Sequence, residues 1–525
     1  MTPLPGWVTE IRPAQRTAVT EIVDAFNCGA KVVFFEGPTG TGKTLIGELV
    51  RRQLRTPGVY VCSSLTLQDQ TLHDFPYARV LKGRSNYPTL VKNYTAADCT
   101  GPGCLLCGNL DRGDPDFEEQ CSYRIAKMEA LTSQLAVLNT TYLLFEANLV
   151  GSFTKLPFVI ADECDQLESE LMKFVELRLS SKAFKLLEVE PPKDGQHYKT
   201  ISAHLMGPVR AAAKAKLSRA ITGQAPLEEQ QELASILTAI DRTGHMIANG
   251  NWVREKLKGG LVMKPITVAP FAQDVFWKHG KRWLCMSATI INARVMAREL
   301  GLADHEWEFV SAPMGFPVEN RPIHLGLVAD MKRANIDQGV VDASLAIEII
   351  LEAHVGERVL IHAVSYDLTR MLASRVRTNR EVLYYTSARE RAGKLAQFLT
   401  TPDAVLIAPS MDRGVDLADD ACRVMVIAKV PYPNLGDKQV SSKLNADGGQ
   451  LWYATETIRT IVQMTGRGVR SDTDHATTYI LDAQFRRLWQ QHKQSFPKWW
   501  RDAVNPAFRF SDLTPTIKAH YRAEG

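Results

Sequence analysis

The segment Gly37-Pro-Thr-Gly-Thr-Gly-Lys43-Thr44 constrains this chain more than any other, because it stands between Lys31-Val-Val-Phe-Phe-Glu36 and Leu45-Ile-Gly-Glu-Leu-Val-Arg-Arg-Gln-Leu54. The first flank is a short apolar run of the kind that forms a buried strand, and the second repeats its apolar residues at helical spacing. Strand, glycine loop and helix in that order make a phosphate cradle. Gly37, Gly40 and Gly42 let the backbone wrap closely, with Thr39 and Thr41 between them, so that amides and the positive helix end face phosphate oxygens. Lys43 suits the β- and γ-phosphates and the Thr44 hydroxyl suits magnesium, which makes ATP with Mg2+ the expected ligand.

Transfer of a phosphoryl group to water also needs a carboxylate for the metal and a group that prepares the water. Asp162 and Glu163 follow Leu156-Pro-Phe-Val-Ile-Ala161, a run suited to a central strand. They would emerge where open α/β sheets bind ligands. Farther on, Val405-Leu-Ile-Ala-Pro-Ser-Met-Asp-Arg-Gly414-Val-Asp416 repeats the pattern of a strand, a glycine turn and a carboxylate. Gln463-Met-Thr-Gly466-Arg467-Gly-Val-Arg470 then places two arginines at helical spacing, able to neutralise a γ-phosphate in the transition state. With the apolar runs at 359–364, 404–408 and 423–428, these predict a second α/β layer.

At 525 residues the chain has room for several domains. It is 45% hydrophobic and 23% charged, the balance of a soluble globular protein. The absence of a long apolar run, and of a basic-then-apolar start, predicts a cytoplasmic protein with no membrane contact. The net charge of +4 neither demands nor excludes nucleic acid.

Nine cysteines in a reducing compartment are thiols. Cys28, Cys62, Cys164, Cys285 and Cys422 are dispersed and are expected to pack in the interior. Cys99, Cys104, Cys107 and Cys121 instead form a C-x4-C-x2-C-x13-C cluster in a stretch rich in Gly, Asp and Pro. Thiolates at this spacing serve zinc and iron-sulfur centres alike, so the chemistry alone leaves both open.

Across most of its length the chain resembles the superfamily two helicases of the XPD/DinG iron-sulfur group. Arg12-Pro-Ala-Gln15 resembles the adenine-reading element, and Ser63-Ser-Leu-Thr66-Leu-Gln-Asp-Gln70 the first strand-contacting motif. Asp162-Glu163-Cys164-Asp165 stands where the family has Asp-Glu-Ala-His, Ser287-Ala288-Thr289 resembles the coupling motif, and Phe316-Pro-Val-Glu-Asn-Arg-Pro322 the entry to the second motor. Gln463, Gly466, Arg467 and Arg470 fit the last motif. Two positions depart from the family: Asp165 replaces histidine, and Arg413 replaces a common glutamate.

The resemblance implies an α/β fold of two RecA-like motor domains with an inserted iron-sulfur cluster domain and a helical arch domain. The first motor would occupy 1–80, 135–170 and 261–315, the cluster domain 81–134, the arch 171–260 and the second motor 316–525. It implies a 4Fe-4S cluster on Cys99, Cys104, Cys107 and Cys121, because the cysteines fall between the strand-contacting and acidic motifs as in the family. Members often carry the first cysteine directly after the Gly-Arg-x-Asn-Tyr element, where this chain has Pro88, so Cys99 would serve from a different loop position.

It further implies Arg12, Gln15, Gly414 and Asp416 at the nucleotide, and Lys43, Asp162, Glu163, Gln463, Arg467 and Arg470 in catalysis. Cations and aromatics near the cluster, Arg84, Tyr87, Tyr123 and Arg124, together with Thr66, are the expected contacts to single-stranded or forked DNA. Within 171–260 the apolar residues Leu233, Ile236, Leu237 and Ile240 recur at helical intervals and no strand-like alternation persists. The basic run Arg210, Lys214, Lys216 and Arg219 suits either a phosphate track or a solvated face. The expected activity is ATP-dependent unwinding of DNA with 5′ to 3′ movement, carried out by a monomer. The rival readings are an ATP-switched binder of DNA structures that does not unwind, and an RNA helicase with a zinc module.

Overall fold

The computed structural model describes residues 6–8, 10–89, 93–99, 121–409, 411, 419–466, 468–469 and 473–513. Two compact units divide the chain: one of Met1–Glu36, Lys43–Ala312 and Asn434–Ala446, the other of Gly37–Gly42, Pro313–Pro433 and Asp447–Gly525.

The first unit is built on a seven-stranded sheet of order β10-β1-β9-β5-β2-β4-β3. Its strands are β1 (Val32–Glu36), β2 (Gly58–Cys62), β3 (Arg79–Val80), β4 (Leu135–Asn139), β5 (Val159–Ala161), β9 (Trp283–Ser287) and β10 (Trp307–Ser311). Every pairing is parallel. A parallel sheet is covered on both faces, which is why its strands read as unbroken apolar runs. Val32, Val33, Phe34 and Phe35 are fully buried, as are Phe158, Val159 and Ile160. Parallel pairing also brings strand C-termini to one edge. The neighbours β1, β9, β5 and β2 therefore deliver Glu36, Ser287–Thr289, Asp162–Glu163 and Ser63 to the same side.

Between β5 and β9 lie the helices Leu167–Val175, Ser181–Leu187, Tyr198–His204, Arg210–Thr222 and Leu227–Thr243. Leu233, Ile236 and Ile240 are buried along the last of these, with Leu237 packed beside them. This span also contains strands, which corrects the expectation from its helical periodicity. Strands β6 (Leu177–Leu179), β7 (Trp252–Glu255) and β8 (Leu261–Pro265) form an antiparallel sheet of order β6-β8-β7. In the basic run, Arg210 pairs with Asp241 and Lys216 with Glu188 at 2.7 Å, so these two are balanced by local acids, while Lys214 and Arg219 are exposed.

Asn434–Ala446, expected within the second motor, groups with the first unit. Its helix Lys438–Leu444 buries Lys443, whose ammonium bonds Glu168 and lies 2.8 Å from Glu299 Oε2. Glu168 is on the helix that follows the acidic motif, and Glu299 ends the helix Ala293–Glu299 that follows the coupling motif.

The second unit carries another seven-stranded sheet, of order β13-β14-β12-β15-β16-β11-β17. Its strands are β11 (Ile323–Ala329), β12 (Val359–His362), β13 (Val382–Tyr384), β14 (Val405–Ala408), β15 (Val424–Ile427), β16 (Thr477–Asp482) and β17 (Val504–Asn505), again all parallel. The three apolar runs named from the sequence are β12, β14 and β15. The aromatic tail packs in this unit: Trp500 is fully buried against Phe485, Trp489 and Phe496, and its indole donates to Thr465 Oγ1 at 2.8 Å. No helix among the described residues is long and apolar enough to cross a membrane.

Candidate active site

Local backbone devices place the chemical groups within each unit. In the glycine loop, Gly40 and Gly42 take φ of +82° and +76°, the left-handed region that glycine enters without steric cost. Thr41 closes the turn on Pro38, its amide at 3.2 Å and its hydroxyl at 2.7 Å from the Pro38 carbonyl. Lys43 and Thr44 then open the helix Lys43–Gln53. Before the loop, the Glu36 carboxylate accepts from the Ile291 amide at 2.9 Å, which ties the end of β1 to the chain just beyond the coupling motif.

At the end of β5, the Asp162 amide donates to Val61 of β2 at 2.8 Å and continues the sheet by one bond. Glu163 turns left-handed, with φ of +50°, and its amide returns to Asp162 Oδ1 at 2.9 Å. The turn sends the two carboxylates in different directions. The Tyr60 hydroxyl donates to Asp162 Oδ2 at 2.6 Å, and the Thr44 side chain is beside it. Burial, reinforced by the Asp162 charge, raises the Tyr60 pKa well above its ordinary value, so the phenol stays a neutral donor. Burial and the same carboxylate push the Cys62 thiol up to about 12, which keeps it uncharged. Thr44 and Asp162 thus converge on one hydroxyl, and their oxygens are the hard donors a magnesium ion takes.

Glu163 Oε2 accepts from the Ser63 hydroxyl and from Gln166 Nε2 at 2.6 Å. Asp165, the residue at the family's histidine position, accepts from the Ser287 hydroxyl at 2.6 Å. Ser287 Oγ in turn lies 3.4 Å from Thr289 Oγ1 and accepts the Thr289 amide at 3.1 Å. The acidic and coupling motifs are therefore joined by a carboxylate–hydroxyl bond. Gln15 is buried and accepts the Arg12 amide at 3.0 Å, which fixes the start of helix Pro13–Asn27. Thr66 is exposed at the start of helix Leu65–Asp74, whose N-cap is Ser64.

Tyr60 and Gln166 are site residues that motif reading did not supply. Tyr60 is the one aromatic hydroxyl in the otherwise apolar strand Gly-Val-Tyr-Val-Cys, a signal visible only once that strand is known to border β5. Gln463 lies half-buried near the end of helix Gly449–Thr465 in the second unit. Gly414, Asp416, Arg467 and Arg470 lie outside the described residues, as does Arg413.

Of the cysteine cluster, Cys99 and Cys121 are described, and Cys104 and Cys107 lie outside the described residues. Arg84 Nη2 donates to the Cys99 carbonyl at 3.0 Å, and the Arg84 guanidinium sits 5.5 Å from the Tyr123 ring centre. Tyr87 meets Tyr123 edge-on at 5.6 Å, and Ser122 donates to the Pro88 carbonyl at 3.2 Å. The segments bearing Cys99 and Cys121 are thereby fastened to one Arg84–Tyr87–Tyr123 hub.

The hub also corrects the place of Tyr123. Its ring is buried, its hydroxyl lies 2.6 Å from that of Tyr142 and donates to Glu146 at 2.9 Å, and Lys127 donates to the other Glu146 oxygen at 2.6 Å. Burial pushes its pKa up to about 12. Tyr123 is a core residue here and offers no face to a base. Tyr87 is half-buried, while Arg84 is exposed. Among the dispersed cysteines, Cys62, Cys164, Cys285 and Cys422 are buried as expected, but Cys28 is exposed where helix Pro13–Asn27 ends.

Comparison with known proteins gives two family matches: residues 9–189 to the Type III restriction enzyme, res subunit, and residues 349–503 to the helicase C-terminal domain. The chain is 26% identical over 109 residues to the Regulator of telomere elongation helicase 1 homolog of Caenorhabditis elegans, covering 18% of this chain and 11% of that protein. It is 22% identical over 204 residues to the ATP-dependent DNA helicase chl-1 of the same organism, covering 34% and 24%. The matched stretches are thus a minor part of these relatives' length. Among solved structures, an XPD helicase superposes with a TM-score of 0.65 at 16% identity, covering 93% of this chain and 98% of that one. Xpd4 of S. tokodaii gives 0.62 at 14%, covering 95% and 100%. These likenesses show a shared fold.

Proposed function

We propose that this chain is an ATP-dependent DNA helicase of the XPD/DinG-like superfamily two group, moving 5′ to 3′ on single-stranded DNA, a reading supported by its two helicase-type family matches and its shared fold. The observation that carries the reading is the convergence of Thr44, Tyr60 and Asp162, with Glu163 turned aside beside them. One carboxylate is held among metal-type donors while its neighbour is left to serve as a base. That division of labour is what phosphoryl transfer to water requires.

In this mechanism Lys43 and the loop amides bind the phosphates, and Arg12 and Gln15 hold the adenine. Glu163 accepts a proton from water as the water oxygen bonds to the γ-phosphorus. The bond from that phosphorus to the β,γ-bridging oxygen breaks, and ADP and phosphate leave. Bound magnesium, held by Thr44 and Asp162, supplies neutralisation of the phosphate charge. Arg467 and Arg470 stabilise the transition state, with Gln463, Gly414 and Asp416 at the nucleotide. The Asp165–Ser287 bond carries the state of the acidic motif to the coupling motif.

We assign Cys99, Cys104, Cys107 and Cys121 to a 4Fe-4S cluster. Its role is to pin a small loop-rich domain that has too little core of its own. Thr66, Arg84, Tyr87 and Arg124 are assigned to the DNA strand, and 171–260 to an arch over it.

The test is ATP turnover with and without single-stranded DNA. Wild-type protein should be stimulated by DNA, and Glu163→Gln should bind ATP but turn it over slowly. Near-normal turnover by Glu163→Gln would show that another residue prepares the water. Affinity for DNA that changes with ATP, without strand displacement, would favour an ATP-switched binding protein.

A further inference from the structure

Ser63 is the last residue before the N-cap of helix Leu65–Asp74 and the first after β2, so it belongs to neither element. On one side, Cys62 is buried and the strand is paired to both β4 and β5. On the other, Ser64 and Thr66 are exposed at the helix start. A displacement of that helix end is therefore taken up first at Ser63, because the strand behind it is held on both edges.

The Ser63 hydroxyl donates to Glu163 Oε2, and Gln166 Nε2 donates to the same oxygen at 2.6 Å. A carboxylate oxygen that accepts two such bonds has its lone pairs directed at protein donors rather than at a water. A small cavity borders the pair, lined in part by Ser63, Thr140, Glu163, Gln166 and Glu170.

We propose that Ser63 is a positioning residue that, with Gln166, clasps Glu163 when no strand is bound, and that a nucleic-acid phosphate at the start of helix Leu65–Asp74 withdraws Ser63 and releases the carboxylate to the attacking water. The proposal rests on the helicase reading above, in which Glu163 is the base and Thr66 contacts the strand. It makes DNA stimulation of ATP turnover the breaking of one hydrogen bond.

The experiment is steady-state ATP turnover of the full chain with and without a single-stranded DNA oligonucleotide, for wild type, Ser63→Ala, Ser63→Thr, Gln166→Ala and Glu163→Gln. Loss of one charge-assisted bond should raise the DNA-free rate of Ser63→Ala by about ten- to a hundredfold and leave its DNA-saturated rate within about twofold of wild type. The stimulation factor then shrinks while KM for ATP is unchanged. Ser63→Thr, which keeps the hydroxyl, should restore the low DNA-free rate, and Gln166→Ala should shift it in the same direction as Ser63→Ala. An unchanged or lower DNA-free rate in Ser63→Ala, with Glu163→Gln inactive, overturns the clasp and leaves the helicase reading standing. Normal turnover by Glu163→Gln overturns both.

Discussion

The Tyr60 hydroxyl donates to Asp162 Oδ2 at 2.6 Å, with the Thr44 side chain beside it. Two residues more than a hundred positions apart, one opening a helix and the other ending a strand, share a single buried phenol. That sharing sets the spacing of the oxygens proposed to hold magnesium.

Tyr60→Phe keeps the ring and removes only the link. Loss of a hydrogen bond worth about 0.5–1.5 kcal/mol should raise the magnesium concentration needed for half-maximal ATP turnover by about three- to tenfold. Titration of turnover with magnesium checks this, and excess chelator should abolish turnover in both proteins.

Lys43→Ala removes the one side-chain cation of the glycine loop. By analogy with deletion of a single transition-state donor, turnover should fall by about 100- to 1,000-fold. The circular dichroism spectrum should stay that of wild type, since Lys43 lies at a helix start and is half-exposed.

The glycine loop and the strand end that carries Asp162 and Glu163 were legible in the sequence because each depends on local chemistry. Glycines permit the loop, and unbroken apolar runs mark strands buried on both faces. Which strands are neighbours is not local, so Tyr60 gave no functional signal without the pairing of β2 with β5. Strands β6, β7 and β8 escaped notice because segments as short as Leu177–Leu179 have too few residues to show a period against the surrounding helices. Tyr123 was misplaced for a related reason: an aromatic beside cysteines and arginines looks like a stacking platform, and only its bonds to Tyr142 and Glu146 reveal a core position. The pairing of Lys443 with Glu168 and Glu299 joins residues far apart in the chain and left no sequence signal.

Lys443→Met tests that pairing. Removing one member of a buried charge group costs up to about 3–5 kcal/mol, here moderated because Glu299 keeps Arg298 at 2.8 Å. The urea midpoint of the first unit should fall accordingly. Adding Glu168→Gln and Glu299→Gln to the same variant should recover part of the loss, because no unpaired charge then remains buried.

Cys107→Ser addresses the cluster. Anaerobically purified variant protein should lose the visible absorption of an iron-sulfur centre and its strand separation, while basal ATP turnover survives. Stoichiometric zinc without iron in the wild-type protein would show a zinc module in its place.

The most direct test of the central claim is strand displacement by anaerobically purified protein on matched duplexes carrying either a 5′ or a 3′ single-stranded tail, with Glu163→Gln as the inactive control. ATP-dependent displacement confined to the 5′-tailed duplex, and lost in the variant, is the predicted result. DNA-stimulated ATP hydrolysis with no strand displaced from either duplex would contradict the claim that this chain is a helicase.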